Sequence, residues 1–319
     1  MRPFRRYQHS DLHPGLPPAR PLPRRLRKPR VLVLGCGDVG LRFVQAWSKR
    51  LQIIAVARSV QSRDQARAAG ARAIRADLDD PVSLRRLRGL APRVLHSAPP
   101  PDRGRTDPRT RNALSALHAT RRWVYLSTSG VYGDCAGDLV EEHRPVAPRN
   151  DRAFRRVSAE TLLRTTRRAL ILRVPGIYAE DRLPLQRLHQ GTPALLPAED
   201  GYTNHIHADD LARIAFYALW RGGSGRVMHA VDASDMRMGD WFDAVADTFG
   251  LSRPPRLSRE AVRAQVSPML WSFMSESRRL SDQRLHRELR CGLVWPTVTA
   301  FLKSLKTSRA ETERQNDPR

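Results

Sequence analysis

The sequence predicts an α/β fold, a doubly wound parallel sheet with a small C-terminal lobe. Three observations lead there. Short apolar runs alternate with amphipathic stretches from residue 30 to about 173. The first unit carries three glycines between its strand and its helix, and a hydroxyl-rich segment leaves the end of a later apolar run. Alternating strands and helices with short connections, under the right-handed crossover rule, give a parallel sheet covered on both faces.

In the first unit, Val31 to Leu34 is a continuous apolar run, the pattern of a strand buried on both faces. Gly35, Gly37 and Gly40 follow. The first permits a tight turn, the second lets backbone approach a pyrophosphate, and the third lets the next helix pack closely on the sheet. After Asp38, the apolar residues Val39, Phe43 and Trp47 form one helix face, and Gln52 to Ala57 is the second strand. This strand, turn, helix, strand order is the context in which the glycines signify a dinucleotide site rather than a tight turn of another α/β domain. At the end of the second strand, where the ribose would lie, stand Arg58 and Ser59 with no carboxylate. An acid there accepts from a 2′-hydroxyl, whereas an arginine pairs with a 2′-phosphate, so NADP is favoured over NAD. The missing acid is the stronger half of that argument, because 56 residues are Lys or Arg and only four (28, 49, 303 and 306) are Lys, leaving 52 arginines spread along the chain.

Composition bounds the rest. The chain has 319 residues, 40% hydrophobic, enough for one large domain or a domain with a lobe. A net charge of +24 would suggest nucleic acid. The arginines are scattered through every predicted helix without interleaved aromatics, which reads as compositional drift and argues against a nucleic-acid partner. No run of eighteen apolar residues predicts a membrane span, and the basic N-terminus lacks the apolar stretch of a signal peptide. Three widely spaced cysteines (36, 135 and 291) fit a reducing compartment, with the cytoplasm as the expected location. Residues 1–29 are rich in Arg and Pro, and a disordered tail is expected there; residues 303–319 are expected to be a second tail.

Further along, helices are predicted at 61–70, 81–88, 106–120 and 150–168, and strands at 71–76, 93–96, 122–127 and 169–173. Ligands of such a sheet lie across the carboxyl ends of its strands. The segment Ser127-Thr-Ser-Gly-Val-Tyr-Gly133 leaves one of those ends and offers three hydroxyls besides that of Tyr132. Downstream come Leu172-Arg-Val-Pro-Gly-Ile-Tyr178 and Asn204-His-Ile-His-Ala-Asp-Asp210. Asp209 and Asp210 read as a helix start rather than a metal pair, and no metal site is expected. Met236, Met238, Trp241 and Phe242 read as lobe core.

With these motifs in this order, the chain from about 30 to 300 resembles the extended and atypical short-chain dehydrogenase/reductase superfamily, in its NAD-dependent epimerase/dehydratase branch. The resemblance implies a Rossmann sheet of about seven strands over residues 30–302, with the lobe assembled mainly from 175–205 and 232–300. It implies that the turn amides at Gly37, Asp38, Val39 and Gly40 receive the diphosphate and that Asp77 and Leu78 contact the adenine. Ser97, Ala98 and Pro99 would line the ribose and phosphate path, with Pro175 also against the cofactor. A homodimer through the helices at 107–119 and 150–168 is the implied assembly, and a small molecule the implied substrate.

Relatives use a strand-end hydroxyl with a Tyr-x-x-x-Lys pair on the following helix, the lysine lowering the tyrosine pKa. Aligned on Ser-Ala-Glu160, Thr128 takes the hydroxyl position, Phe154 the tyrosine and Ser158 the lysine. No shift of register restores the pair, because no Lys occurs between 49 and 303 and no Tyr between 132 and 178. Tyr132 or His207 is then a candidate substitute acid, the alternatives being a ring packed beside the cofactor for Tyr132 and a helix-start hydrogen bond for His207. Two functions remain open: an NAD(P)-dependent oxidoreductase or epimerase-like enzyme using Thr128 and Tyr132, or a non-catalytic dinucleotide sensor that regulates a partner.

Overall fold

The computed structural model describes residues 28–165 and 169–315. All but the last two residues of the expected N-terminal tail lie outside the described residues. The centre is a seven-stranded parallel sheet: β1 (Arg30–Leu34), β2 (Gln52–Ala57), β3 (Arg72–Arg75), β4 (Arg93–His96), β5 (Arg122–Thr128), β6 (Ala169–Val174) and β7 (Val227–His229). Its order is β7-β6-β5-β4-β1-β2-β3, a Rossmann-like arrangement. The chain runs outward from β1 to β3, returns to β4, and continues outward on the other side. The winding therefore reverses between β1 and β4, and a crevice opens above their C-terminal ends.

Alternation within each strand feeds two cores. Val31 and Val33 point to one face, with Phe43 and Val44 of α1 (Asp38–Trp47) and Leu211 and Ile214 of a later helix. Leu32 and Leu34 point to the other, with Ala113 of α4 (Pro108–Ala116) and Ala159 and Leu163 of α5 (Asp151–Thr165). Between them lie α2 (Val60–Ala68) and a short α3 (Pro81–Leu84). Helix starts follow local chemistry. Ser59 accepts from the amide of Ser62 at the head of α2, and Asp80 and Asp107 cap α3 and α4, each with proline next in sequence. The Asp107-Pro108 pair is why α4 begins two residues later than the periodicity suggests.

The lobe contains α6 (Leu185–His189), α8 (Met238–Phe249), α9 (Arg259–Gln265), α10 (Pro268–Met274) and α11 (Val298–Gln315), while α7 (Ala208–Trp220) packs beside α1 on the sheet. Trp241 and Phe242 are buried in the lobe core, with Met236 and Met238 packed against it. The tail expected from residue 303 is instead the continuation of α11 to Gln315. Val298, Phe301, Leu302 and Leu305 recur at three- and four-residue spacing and dock on the α8 core, which anchors that helix. No described helix is long and apolar enough to cross a membrane.

Candidate active site

A cleft of about 260 Å³ crosses the C-terminal ends of β1 to β4. Gly35 and Gly37 reach it from β1, Arg58 and Ser59 from β2, Asp77 and Leu78 from β3, and Ala98 and Pro99 from β4. Eight residues singled out from sequence thus converge on one groove. The turn beneath it is closely packed. Gly35 has φ +84°, and a Cβ there would lie 2.5 Å from the Ala98 backbone; a Cβ on Gly40 would lie 2.8 Å from the Gly35 carbonyl oxygen. Ser97 holds this turn without lining the groove, its hydroxyl donating to the carbonyl oxygens of Gly35 at 2.7 Å and Leu34 at 3.2 Å. On the outer side, a Cβ on Gly37 would meet nothing within 4 Å. The turn is closed toward the sheet and open toward the groove, a cradle that fits a diphosphate against the amides at the head of α1.

The β2 end of the groove sets two arginines against two aspartates beside two serine hydroxyls. The Arg58 side chain is 65% exposed, with its guanidinium 3.9 Å from both Asp77 and Asp79. Ser59 donates to Ser62 at 2.8 Å beside it. Arg109, missed from the sequence among so many arginines, forms a wall by donating to both Asp79 oxygens at 2.7 and 2.8 Å. Cys36 also lines the groove, and burial pushes its thiol up to about 11, so it is a packing residue and not a nucleophile. His96 is fully buried under the groove. Its Nε2 meets the Thr110 hydroxyl at 3.0 Å, and that hydroxyl donates to Asp107, so the Nε2 proton is the one shared.

A larger cavity, about 540 Å³, continues beyond β5 and β6. Thr128, Ser129 and Gly130 form its sheet side with Pro175, which therefore faces this cavity rather than the groove. Trp241, Phe242, Leu270 and Phe273 supply an apolar lobe wall. Four arginines (152, 182, 187 and 278) also line it, against one carboxylate, Glu276, which Arg278 already holds at 2.8 Å. Arg187 makes no ion pair among the described residues, and burial alone draws its guanidinium below the usual range. Arg152 lies 4.3 Å over the Phe273 ring. A half-buried guanidinium without a carboxylate is a receptor for an anion.

The strand-end hydroxyls separate. Thr128 Oγ1 accepts from the Gly130 amide at 3.2 Å, which leaves its own proton to donate into the cavity. Tyr132 does not line the cavity. Its hydroxyl accepts from Arg173 at 2.7 Å and meets His229 Nε2 at 2.7 Å, while His229 Nδ1 donates to the Ser281 carbonyl at 2.9 Å. The Tyr132 proton is thereby committed to His229, and burial raises the phenol to about 12. Tyr132 is a buried strut, which corrects its expected role as a proton donor. The 3-10 turn Ser129–Tyr132 is the cause, since it swings the ring inward once β5 has ended.

His207 likewise serves the fold, accepting from the Asp209 amide at 3.2 Å as the cap of α7. The two aspartates stand in the first turn of that helix, as expected, but their carboxylates turn to other partners. Asp209 accepts from Arg42 at 2.9 Å, and Asp210 accepts from the amides of Val294 and Trp295 at 2.8 Å each. His205, passed over in the sequence, lines the cavity, and burial pushes it down to about 3. On α5, Phe154 lies under Arg105 at 4.7 Å, and the Ser158 hydroxyl accepts from the Asp107 amide at 3.2 Å.

Residues 31–230 match the family model described as the NAD dependent epimerase/dehydratase family. Among solved structures, a conserved protein of unknown function from Silicibacter pomeroyi is 26% identical with a TM-score of 0.74, covering 88% of this chain and 99% of its own. UDP-glucuronic acid 4-epimerase from Bacillus cereus, solved with NAD, is 17% identical with a TM-score of 0.67 over 86% and 99% of the two chains. UDP-glucose 4-epimerase from Thermotoga maritima, solved with UDP-glucose, is 16% identical with a TM-score of 0.70 over 89% and 99%. At those last two identities the likeness is one of fold. No curated relative matches.

Proposed function

Because the chain belongs to the NAD-dependent epimerase/dehydratase family, we propose that it is an NADP-preferring oxidoreductase or epimerase-like enzyme whose substrate is an anion. The observation that carries this reading is the pair of sites at one sheet edge. A groove with an open glycine cradle ends at the loop after β4, and an arginine-lined cavity begins at the loop after the adjacent β5. The nicotinamide dinucleotide, when bound, supplies hydride exchange.

The chain's own residues do the rest. Turn amides from Gly37 to Gly40, with Asp38 and Val39 between, hold the diphosphate, and Asp77 and Leu78 flank the adenine. Arg58 with Ser59 receives a 2′-phosphate by charge-assisted hydrogen bonds. Arg187 and Arg152 hold the anionic end of the substrate, and the apolar wall excludes water around its body. Thr128 donates to the reacting oxygen. Tyr132, the titrating residue of the strand-end segment, is engaged elsewhere, so Thr128 polarises that oxygen and does not act as a full general acid.

A second reading draws on Phe154 and Ser158, which the sequence resemblance places at the tyrosine and lysine positions. With neither group able to move a proton, the chain would hold the dinucleotide and report its level without turnover.

One calorimetric series, followed by a turnover assay, decides. NADPH is expected to bind about tenfold or more tighter than NADH, one strong phosphate contact, with Arg58→Ala removing the difference. Equal affinities in the unmodified protein would overturn the NADP preference, and no binding of either would overturn the whole reading. NADPH oxidation is then followed across a panel of carboxylated and phosphorylated carbonyl compounds. Thr128→Val is expected to lower kcat by about a hundredfold. Tight binding with no turnover across the panel selects the sensor.

A further inference from the structure

Five charged side chains join the head of α1 to the lobe and to α7. Arg182 donates to Asp38 at 2.6 Å. Arg42 donates to Asp38 at 2.9 Å, to Asp181 at 2.6 Å and to Asp209 at 2.9 Å. Three carboxylates therefore share two guanidiniums, an excess of negative charge beside the amides that would receive a diphosphate. A doubly charged anion can settle there only if one guanidinium turns toward it.

The two arginines are not equally free to do so. Arg42 is rooted in α1, its side chain is 19% exposed, and all three carboxylates hold it. Arg182 has one carboxylate, its side chain is 37% exposed, and it ends a single 3-10 turn (Glu180–Arg182) in the lobe. Arg182 also lines the larger cavity. It thus reaches both the head of the glycine-turn helix and the wall of the second site.

We propose that Arg182 is a ligand of the dinucleotide diphosphate supplied by the lobe, and that Asp38 competes with the diphosphate for it. This rests on the dinucleotide reading given above. On binding, Arg182 exchanges the Asp38 carboxylate for a phosphate oxygen, and Asp38 keeps Arg42. No proton is transferred, since guanidinium and carboxylate stay charged throughout. The exchange also draws the Arg182 edge of the substrate cavity toward the groove, so the two sites fill in a linked manner.

The test is calorimetric titration of the full chain with NADPH, using Asp38→Asn, Arg182→Gln and Arg182→Lys, with thermal melting of each protein alone. Asp38→Asn removes the competitor and is expected to tighten binding several-fold. Arg182→Gln is expected to weaken it about tenfold, and Arg182→Lys to recover part of the loss by point charge. Opposite signs for Asp38→Asn and Arg182→Gln are the signature. If the pair is only a bridge between lobe and sheet, both substitutions lower the melting temperature alike and move affinity in one direction, which overturns the proposal. Wild-type protein that fails to bind NADPH overturns the dinucleotide reading itself, whereas wild-type binding with unshifted variants overturns only Arg182.

Discussion

At the scale of single residues, the glycine turn separates packing from binding. Gly35 sits in the left-handed region at φ +84° against the Ala98 backbone, so Gly35→Ala meets both strain and a clash. A loss of about 2 kcal/mol or more in urea denaturation is expected. Gly37 has open space around its Cβ position, so Gly37→Ala should leave the urea midpoint nearly unchanged while weakening NADPH binding. Equal destabilisation by the two would show that the groove side of the turn is not open. The tight turn at Gly35 was legible in the sequence because backbone geometry is a local property. The role of Tyr132 was not. Its partners Arg173 and His229 arrive from two other strands, 41 and 97 residues away, and no local pattern announces them.

At the scale of elements, α5 is fastened to the sheet by a buried ion pair. Arg173 on β6 donates to Glu160 on α5 at 2.7 Å, with both side chains under 5% exposed, and the Ser127 hydroxyl donates to the same carboxylate at 2.5 Å. Replacing one partner leaves a buried charge uncompensated. Arg173→Met is expected to cost about 3–5 kcal/mol in denaturant unfolding, and the double variant Glu160→Gln with Arg173→Met should recover part of that. Strictly additive losses would mean that the two side chains do not depend on each other. The element pattern itself was readable, because the apolar strands up to β6 and the helices between them follow from residues within each segment, whereas the helix caps, β7 and the order of the strands came from the structure. The extent of α11 was another exception, because its apolar stripe has meaning only once α8 is beside it.

At the scale of the whole molecule, buried histidines set the response to acid. Burial pushes His96 and His205 down to about 3 and His229 to about 4. Unfolded histidine titrates near 6.5, so between about pH 4 and 6.5 the unfolded chain binds more protons and stability falls as pH falls. Each such group contributes about 1 kcal/mol per pH unit in that window. Asp232, raised to about 6 by burial, acts with the opposite sign between about pH 4 and 6. Burial also lowers His207 and raises Asp200 and Glu142, so four histidines against three carboxyls give a net loss on the acid side. Urea midpoints at pH 7.5, 6 and 5 should decline in that order, and a flat profile would show that these rings are protonated in the folded state.

The sequence by itself determined the parallel α/β sheet, the glycine turn after β1, and eight of the residues that reach one groove. Each of these depends on side-chain periodicity or on backbone freedom at a single position, and the crossover rule then places the strand ends together. The tertiary structure decided which hydroxyls face the larger cavity, which of the described arginines lining it lack a carboxylate, and how the lobe touches the head of α1. Those outcomes depend on partners far apart in the chain, whose distance and burial arise only when the layers close on one another.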